Sequence, residues 1–394
     1  MKPFIRVFAA LAALALVLGA CGDSGSEDTT TTAATEETTT SAMAEETTTS
    51  AAGEPTTTAM SIDGTGRNIG MAFDVGGRGD LSFNDLAAAA WDEGKELYGY
   101  DGQELAPDAG GENREQNLRL LAESGSEMII ANGFAFAQNV WRVGTEFPEV
   151  MFAITDDCPV DDTFAPVPMD NVRCMLSSEE QGSFLVGAAA ALKSETGTIG
   201  FIGGVQTPLI LKFQAGFEAG ALAANPDIEI LPAVYLTQVP DFTGFNDPVK
   251  GNEAARGLYG QGADVIFHAA GGSGLGLFRA AAELTTDDTF LWAIGVDSDQ
   301  YESVLGAAEE GEGATLQPHI LTSMLKGVDV HVSTAIVDFL TDNFSPGEKR
   351  LGLAEDGVGY STSGGFVDDI APQLEEFKAQ IIDGTIVVPT EPAA

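Results

Sequence analysis

The sequence predicts an α/β fold of two doubly wound lobes, and three observations carry that reading. Short apolar runs rich in β-formers alternate with stretches of helical period along most of the chain. The runs are continuously apolar rather than alternating, which places helices on both faces of a parallel sheet. The alternation extends over about 330 residues, more than one such sheet readily covers with a single core. A single eight-stranded barrel has the right size and stands as the alternative.

In chain order the strands are expected at Asn68–Phe73, Met128–Ala131, Val150–Ile154, Thr198–Ile202, Ile228–Tyr235, Asp264–His268 and Phe290–Val296. The first helix, Phe83–Tyr98, shows its period in Phe83, Leu86, Ala87, Ala90, Trp91 and Leu97. Further helices are expected at Arg114–Glu123, Gln138–Glu146, Glu179–Lys193, Leu211–Ala224, Asp247–Gly260, Gly276–Leu284, Leu321–Leu340 and Pro372–Asp383. A first crossing between lobes is placed near residue 178, with returns near 298–320 and 364. The N-terminal lobe is then 66–178 plus about 320–364, and the C-terminal lobe 179–319 plus about 365–394.

The N-terminus reads as an address. Residues 1–20 carry Lys2 and Arg6, then an apolar run from Val7 to Ala20, the layout of a secretory signal too short to span a bilayer comfortably. Leu18-Gly19-Ala20-Cys21 resembles the lipobox of bacterial lipoproteins, which makes Cys21 the expected acylated first residue of the mature chain. A diacyl anchor of that kind holds firmly, where one chain would be marginal. Residues 22–60 contain 14 Thr, eight acids and no base. With no aromatic residue and too little apolar surface to offset ordering, 21–65 is expected to be a Thr-rich disordered tether behind the lipidated Cys.

The chain has 394 residues and a formal net charge of −42. Removing the signal and the tether leaves 16 basic against 52 acidic residues over 61–394. So acidic a body repels phosphate backbones, so no nucleic-acid partner is expected. Two cysteines remain, Cys158 and Cys174, and in an exported protein a disulfide is the default. The Pro- and Asp-rich segment between them reads as an irregular surface loop. Only His268, His319 and His331 accompany them in the chain, all distant, so no metal and no cofactor are expected.

In doubly wound sheets ligands sit beyond the carboxyl ends of the strands. Four strand ends carry acids, amides and glycines that packing does not require. They are Asp74 to Asp85, Thr155-Asp156-Asp157, Ala269 to Gly276 and Asp297-Ser298-Asp299. Each has a plainer alternative: Ser82, Asn84 or Asp297 could cap a helix, and Gly271–Gly276 misses the spacing of a dinucleotide fingerprint. Arg78-Gly79-Asp80 also spells an adhesion tripeptide that arises often by chance.

The stretch DVGGRGDLSFND, followed by a Trp-containing helix, resembles the signature of the basic membrane lipoprotein family, of the purine nucleoside receptor A type. Further matches follow in order at Ala131–Phe134, Asp156, Gly244–Asp247 with Lys250, Ala270–Gly274, Gly295–Gln300 and Thr322–Gly327. The resemblance implies a type I periplasmic-binding-protein fold whose two lobes are joined by a three-crossing hinge. It implies stacking by Phe83 and Phe245 on a purine, with Asp74, Ser82, Asn84 and Asp156 in the base region. Gly271, Asp297 and Lys326 match the ribose contacts. The usual acidic pair ahead of Ser-Phe-Asn is here Arg78-Gly79-Asp80-Leu81, so only Asp80 keeps a negative charge.

The function so implied is a lipid-anchored substrate-binding protein on the extracytoplasmic face of the cell membrane. It would bind inosine, guanosine or adenosine, act as a monomer, and deliver to an ABC transporter permease. A secreted α/β enzyme acting on nucleosides is the alternative from another class. Against it, the sequence has no Gly-x-Ser-x-Gly elbow, no paired metal-ligand His and no four-Asp calcium cluster. A type I binding protein for a sugar or an amino acid is the remaining alternative.

Overall fold

A computed structural model describes residues 62–306 and 311–393. Cys21, the signal and nearly all of the tether lie outside the described residues. The first sheet gathers β1 (Ile69–Ala72), β2 (Glu104–Leu105), β3 (Met128–Ala131), β4 (Met151–Thr155), β5 (Val172–Ser177) and, from much later in the chain, β12 (Gly347–Leu351). Its order is β12-β5-β4-β3-β1-β2, and every pairing is parallel. The helices α1 (Phe83–Tyr98), α2 (Arg114–Glu123) and α3 (Ala137–Glu146) cover it, joined by α10 (Val328–Leu340), which packs on α1.

The second sheet contains β6 (Thr198–Val205), β7 (Glu229–Ile230), β8 (Val234–Thr237), β9 (Val265–Ala269), β10 (Trp292–Asp297), β11 (Ile320–Lys326) and β13 (Val358–Tyr360). Its order is β13-β11-β10-β9-β6-β7, with β8 also on β6, and only β13 runs antiparallel. Around it pack α4 (Glu179–Lys193), α5 (Pro208–Ala224), α6 (Pro248–Tyr259), α7 (Gly274–Leu284), the short α8 (Gln300–Ser303) and α9 (Glu312–Leu316), and α11 (Ala371–Ile382). The α4–α5 contact is very close: a Cβ on Gly220 would lie 1.9 Å from the Phe184 carbonyl oxygen. The small residues of α4 therefore bury almost the whole helix, including Glu179 at its first position.

The chain leaves the first sheet after Ser177, returns to it with α10 and β12, and leaves again before β13. This corrects the expected return segment of 320–364. Ile320–Lys326 is a buried strand of the second sheet, and only Val328–Leu351 belongs with the first. Leu321–Leu340, expected as one helix, is a strand followed by a helix, with Gly327 between them. The segment expected as one strand at Ile228–Tyr235 is two short ones, because Pro232 has no N–H to give the ladder. Cys158 and Cys174 form a disulfide with Cα atoms 5.1 Å apart, tying the loop after β4 to the middle of β5.

Candidate functional site

The lobes meet over a cavity lined by residues of both. Four rings line it, Phe83 and Phe134 from the first lobe and Phe213 and Phe245 from the second. Asp74, Asn84, Asp156, Gly271, Asp297 and Lys326 line it as well, so every binding residue named from sequence except Ser82 faces this space.

Local chemistry explains how the first-lobe loop is held. Asp80, buried, accepts from the backbone N–H of Ser82, Asn84 and Asp85 and from the Asn84 side chain. It thus caps α1 in place of Ser82, whose hydroxyl makes no cap bond. Burial pushes the Asp80 carboxyl up to about 6 despite those donors. Arg78 is engaged by Asp92 and Glu104, which together with the burial of Asp80 leaves no accessible adhesion tripeptide.

Ser82 instead reaches the other lobe. Its Oγ lies 2.8 Å from Asp297 Oδ2 and 3.1 Å from the Val296 carbonyl. Asp297 and Asp156 both end strands in the left-handed region, at φ 64° and 71°. Side chains rarely adopt that conformation, and it persists where surroundings enforce it, often at functional sites. Burial pushes the Asp297 carboxyl up to about 7, although Lys326 and Ser82 pull the other way.

Asn84 departs from its expected role. Its Oδ1 accepts from Asp74 N–H and Asn132 Nδ2, and its Nδ2 donates to Asp80 and the Val75 carbonyl. The amide is spent on the lobe's own framework, so Asn84 positions the loop rather than offering a free edge. Asp74 keeps one oxygen for the cavity. Its Oδ1 is taken by the Val75 N–H and by Arg114, whose Nε lies 2.8 Å away. Gly133 lets that carboxylate sit close: its φ is +136°, and a Cβ there would lie 2.5 Å from Asp74 Oδ2.

Asp156, grouped from sequence with the base-reading residues, lies instead against Lys326, which was matched to the ribose. Lys326 Nζ is 2.7 Å from Asp156 Oδ1 and 3.2 Å from Glu179 Oε1, and Lys212 Nζ is 3.2 Å from Glu179 Oε2. Neither oxygen facing Lys326 is aligned as a directed hydrogen-bond acceptor, so these are ion pairs by proximity. Lys326 also lies 5.4 Å from the Phe83 ring centre and 5.6 Å from that of Phe213. Burial alone would lower the Lys326 pKa, but Asp156, Glu179 and Asp297 outweigh it and raise it. Glu179 has two lysines and is held below the usual carboxylate range against the cost of its burial. Burial raises Asp156, which has only a share of one.

Sequence reasoning missed Glu179, Arg114 and Phe213. Glu179 and Phe213 fall inside the expected helices Glu179–Lys193 and Leu211–Ala224, with no motif to single them out. Arg114 carried one signal, the scarcity of cations in so acidic a body. Among the described residues, no group of three or more His, Cys, Asp or Glu is arranged to hold a metal ion. No helix among them is long and apolar enough to cross a membrane.

A family profile described as ABC transporter substrate-binding protein, PnrA-like, matches residues 68–391, which contain both lobes and every residue of the cavity. The chain belongs to that family. Among its relatives is the CD4+ T-cell-stimulating antigen of Listeria monocytogenes serovar 1/2a, 34% identical over 336 residues, covering 82% of this chain and 88% of that protein. The ABC transporter nucleoside-binding protein BmpA of Lactococcus lactis is 28% identical over 330 residues, covering 81% and 88%. A solute-binding protein of an ABC transporter system from Aeropyrum pernix K1 superposes with a TM-score of 0.69 at 28% identity, covering 82% of this chain and 94% of that one. The two lobes are those of a type I periplasmic-binding protein. As a PnrA-like protein this chain is a substrate-binding component of an ABC transporter.

Proposed function

We propose that this PnrA-like protein is a lipid-anchored extracytoplasmic receptor that binds a purine nucleoside between its lobes and delivers it to an ABC permease. The observation that carries the ligand class is the lining of the interlobe cavity. Four phenylalanines offer faces and edges to a flat heterocycle, while Asp74 on one side and Asp297 with Lys326 on another supply polar ends. A carboxylate can accept two sugar hydroxyls, and an ammonium supplies a compact donor beside it. Cys21 would carry the lipid, which mass spectrometry of the membrane-extracted protein tests directly.

A thermal-shift comparison of purine nucleosides, free bases, pentoses and amino acids separates this reading from a sugar or amino-acid receptor. Stabilisation by inosine, guanosine or adenosine and by no other class is the expected result. Hydrolysis of inosine or guanosine by the purified protein would replace the receptor with an enzyme.

One variant probes the aromatic seat. A Cβ on Gly204 would lie 2.4 Å from the Phe245 ring, so Gly204→Ala must push that ring toward the cavity. Overpacking of this kind costs about 1–3 kcal/mol, and calorimetry should record roughly tenfold weaker inosine binding.

A further inference from the structure

The Gly295–Gln300 motif contributes more than Asp297. Leu81, one residue before the serine that reaches Asp297, stands at φ 55°, a left-handed conformation rare for a leucine. Two carboxylates hold it there. Asp85 accepts from the N–H of Gly79 and Leu81, and Asp80 from that of Ser82. The result is a carbonyl pointed out of the first lobe. Three side chains of the second lobe converge on that one oxygen: Ser298 Oγ at 2.6 Å, Ser303 Oγ at 3.0 Å and Gln300 Nε2 at 3.2 Å.

The receiving side is equally fixed. Gln300 Oε1 accepts from Val296 N–H, and its backbone N–H donates to Ser323 Oγ. His268 Nε2 lies 3.0 Å from the same Oε1. Because that oxygen is an acceptor, the histidine carries its proton on Nε2, and Nδ1 is left buried without a partner. None of Leu81, Ser298, Gln300, Ser303 and His268 lines the cavity between the phenylalanines.

We infer that the Leu81 carbonyl, clasped by Ser298, Gln300 and Ser303, is an interlobe latch that sets how long the lobes stay closed, and so the release rate, without touching the ligand. The strained turn supplies the acceptor, and the His268–Gln300 pair holds a donor in register. A contact made only when the lobes meet stabilises the closed arrangement and leaves the encounter with ligand unchanged.

The test is the double variant Ser298→Ala/Ser303→Ala in the full chain, with Gln300 retained. The release rate of inosine, followed by stopped flow, should rise about 30-fold for two lost neutral hydrogen bonds, with association changed by less than about twofold. Ser298→Thr, which keeps a hydroxyl, should restore much of the slow release in the presence of Ser303. An unchanged release rate, or a change carried by association, overturns the latch. The kinetic arm rests on the nucleoside reading; if inosine does not bind the unmodified protein, that reading has failed on its own. The latch is then decided by small-angle scattering without nucleoside, where the double variant should show a larger radius of gyration and an unchanged one overturns it.

Discussion

Replacing Asp297 by Asn should weaken inosine binding about 100-fold, the order expected for losing hydrogen bonds to a charged acceptor, and should remove most of the pH dependence of binding. The carboxyl is pushed up to about 7 by burial. A sugar that donates to it binds the ionised form, so below that value a proton competes with the ligand. Affinity in the unmodified protein should then be flat above about pH 7 and fall roughly tenfold per pH unit below it. For folding the sign is opposite. The folded value lies above the ordinary 3.8, so this group's stabilising contribution is full below about pH 4 and is lost as pH rises through about 7. Acidification should therefore weaken binding while this group favours the fold. Asp80, also raised, to about 6, could mimic part of the profile, and the Asn variant separates the two. Calorimetry from pH 5 to 8 checks this: a flat profile in the unmodified protein, or retained affinity in the variant, would count against Asp297 as the sugar acceptor.

Much of the scaffold was legible because apolar period reports burial directly. The helices Phe83–Tyr98, Arg114–Glu123 and Glu179–Lys193 lie where the period put them. What escaped depended on partners far away in sequence. The strand Val172–Ser177 contains Arg173, a charge that reads as loop. It is tolerated inside the sheet because Asp338 and the Ser345 carbonyl, from the segment that returns to the first lobe, receive its guanidinium. The strand Gly347–Leu351 is polar at nearly every position and belongs to the sheet through backbone pairing at its edge, with Arg350 donating to the Ser177 carbonyl. The site divides in the same way. Which residues line the cavity followed from motifs at strand ends, but how their hydrogen bonds are spent did not. Asn84 is consumed within its lobe, Ser82 reaches across to a residue 215 positions away, and Asp74 is shared with Arg114. Those assignments are set by tertiary geometry, which no local spacing encodes.

Lys326→Met should be the most destabilising single change at this site. Asp156 follows a strand of the first sheet, whereas Glu179, Lys212 and Lys326 belong to elements of the second, so within this cluster Lys326 bridges the lobes. Its side chain is 2% exposed, those of Asp156 and Glu179 are 5% and 1% exposed, and bulk water does little to screen them. Removing the cation strands Asp156 entirely and leaves Glu179 with Lys212 alone. Breaking a buried pair in this way costs about 3–5 kcal/mol. Methionine fills much of the same volume, so the loss is electrostatic rather than a cavity effect. Burial already raises Asp156 in the folded state, and loss of the lysine raises it further. Protonated Asp156 therefore favours the fold at low pH and this contribution is lost as pH rises, which makes the variant's deficit larger at pH 8 than at pH 5. Adding Asp156→Asn to Lys326→Met should return part of the stability, because it removes the stranded charge as well as its partner. Urea denaturation at the two pH values measures all three quantities. A variant as stable as the unmodified protein at pH 8 would mean that these carboxylates do not depend on the lysine, and that its place at the second crossing is due to the sugar contact alone.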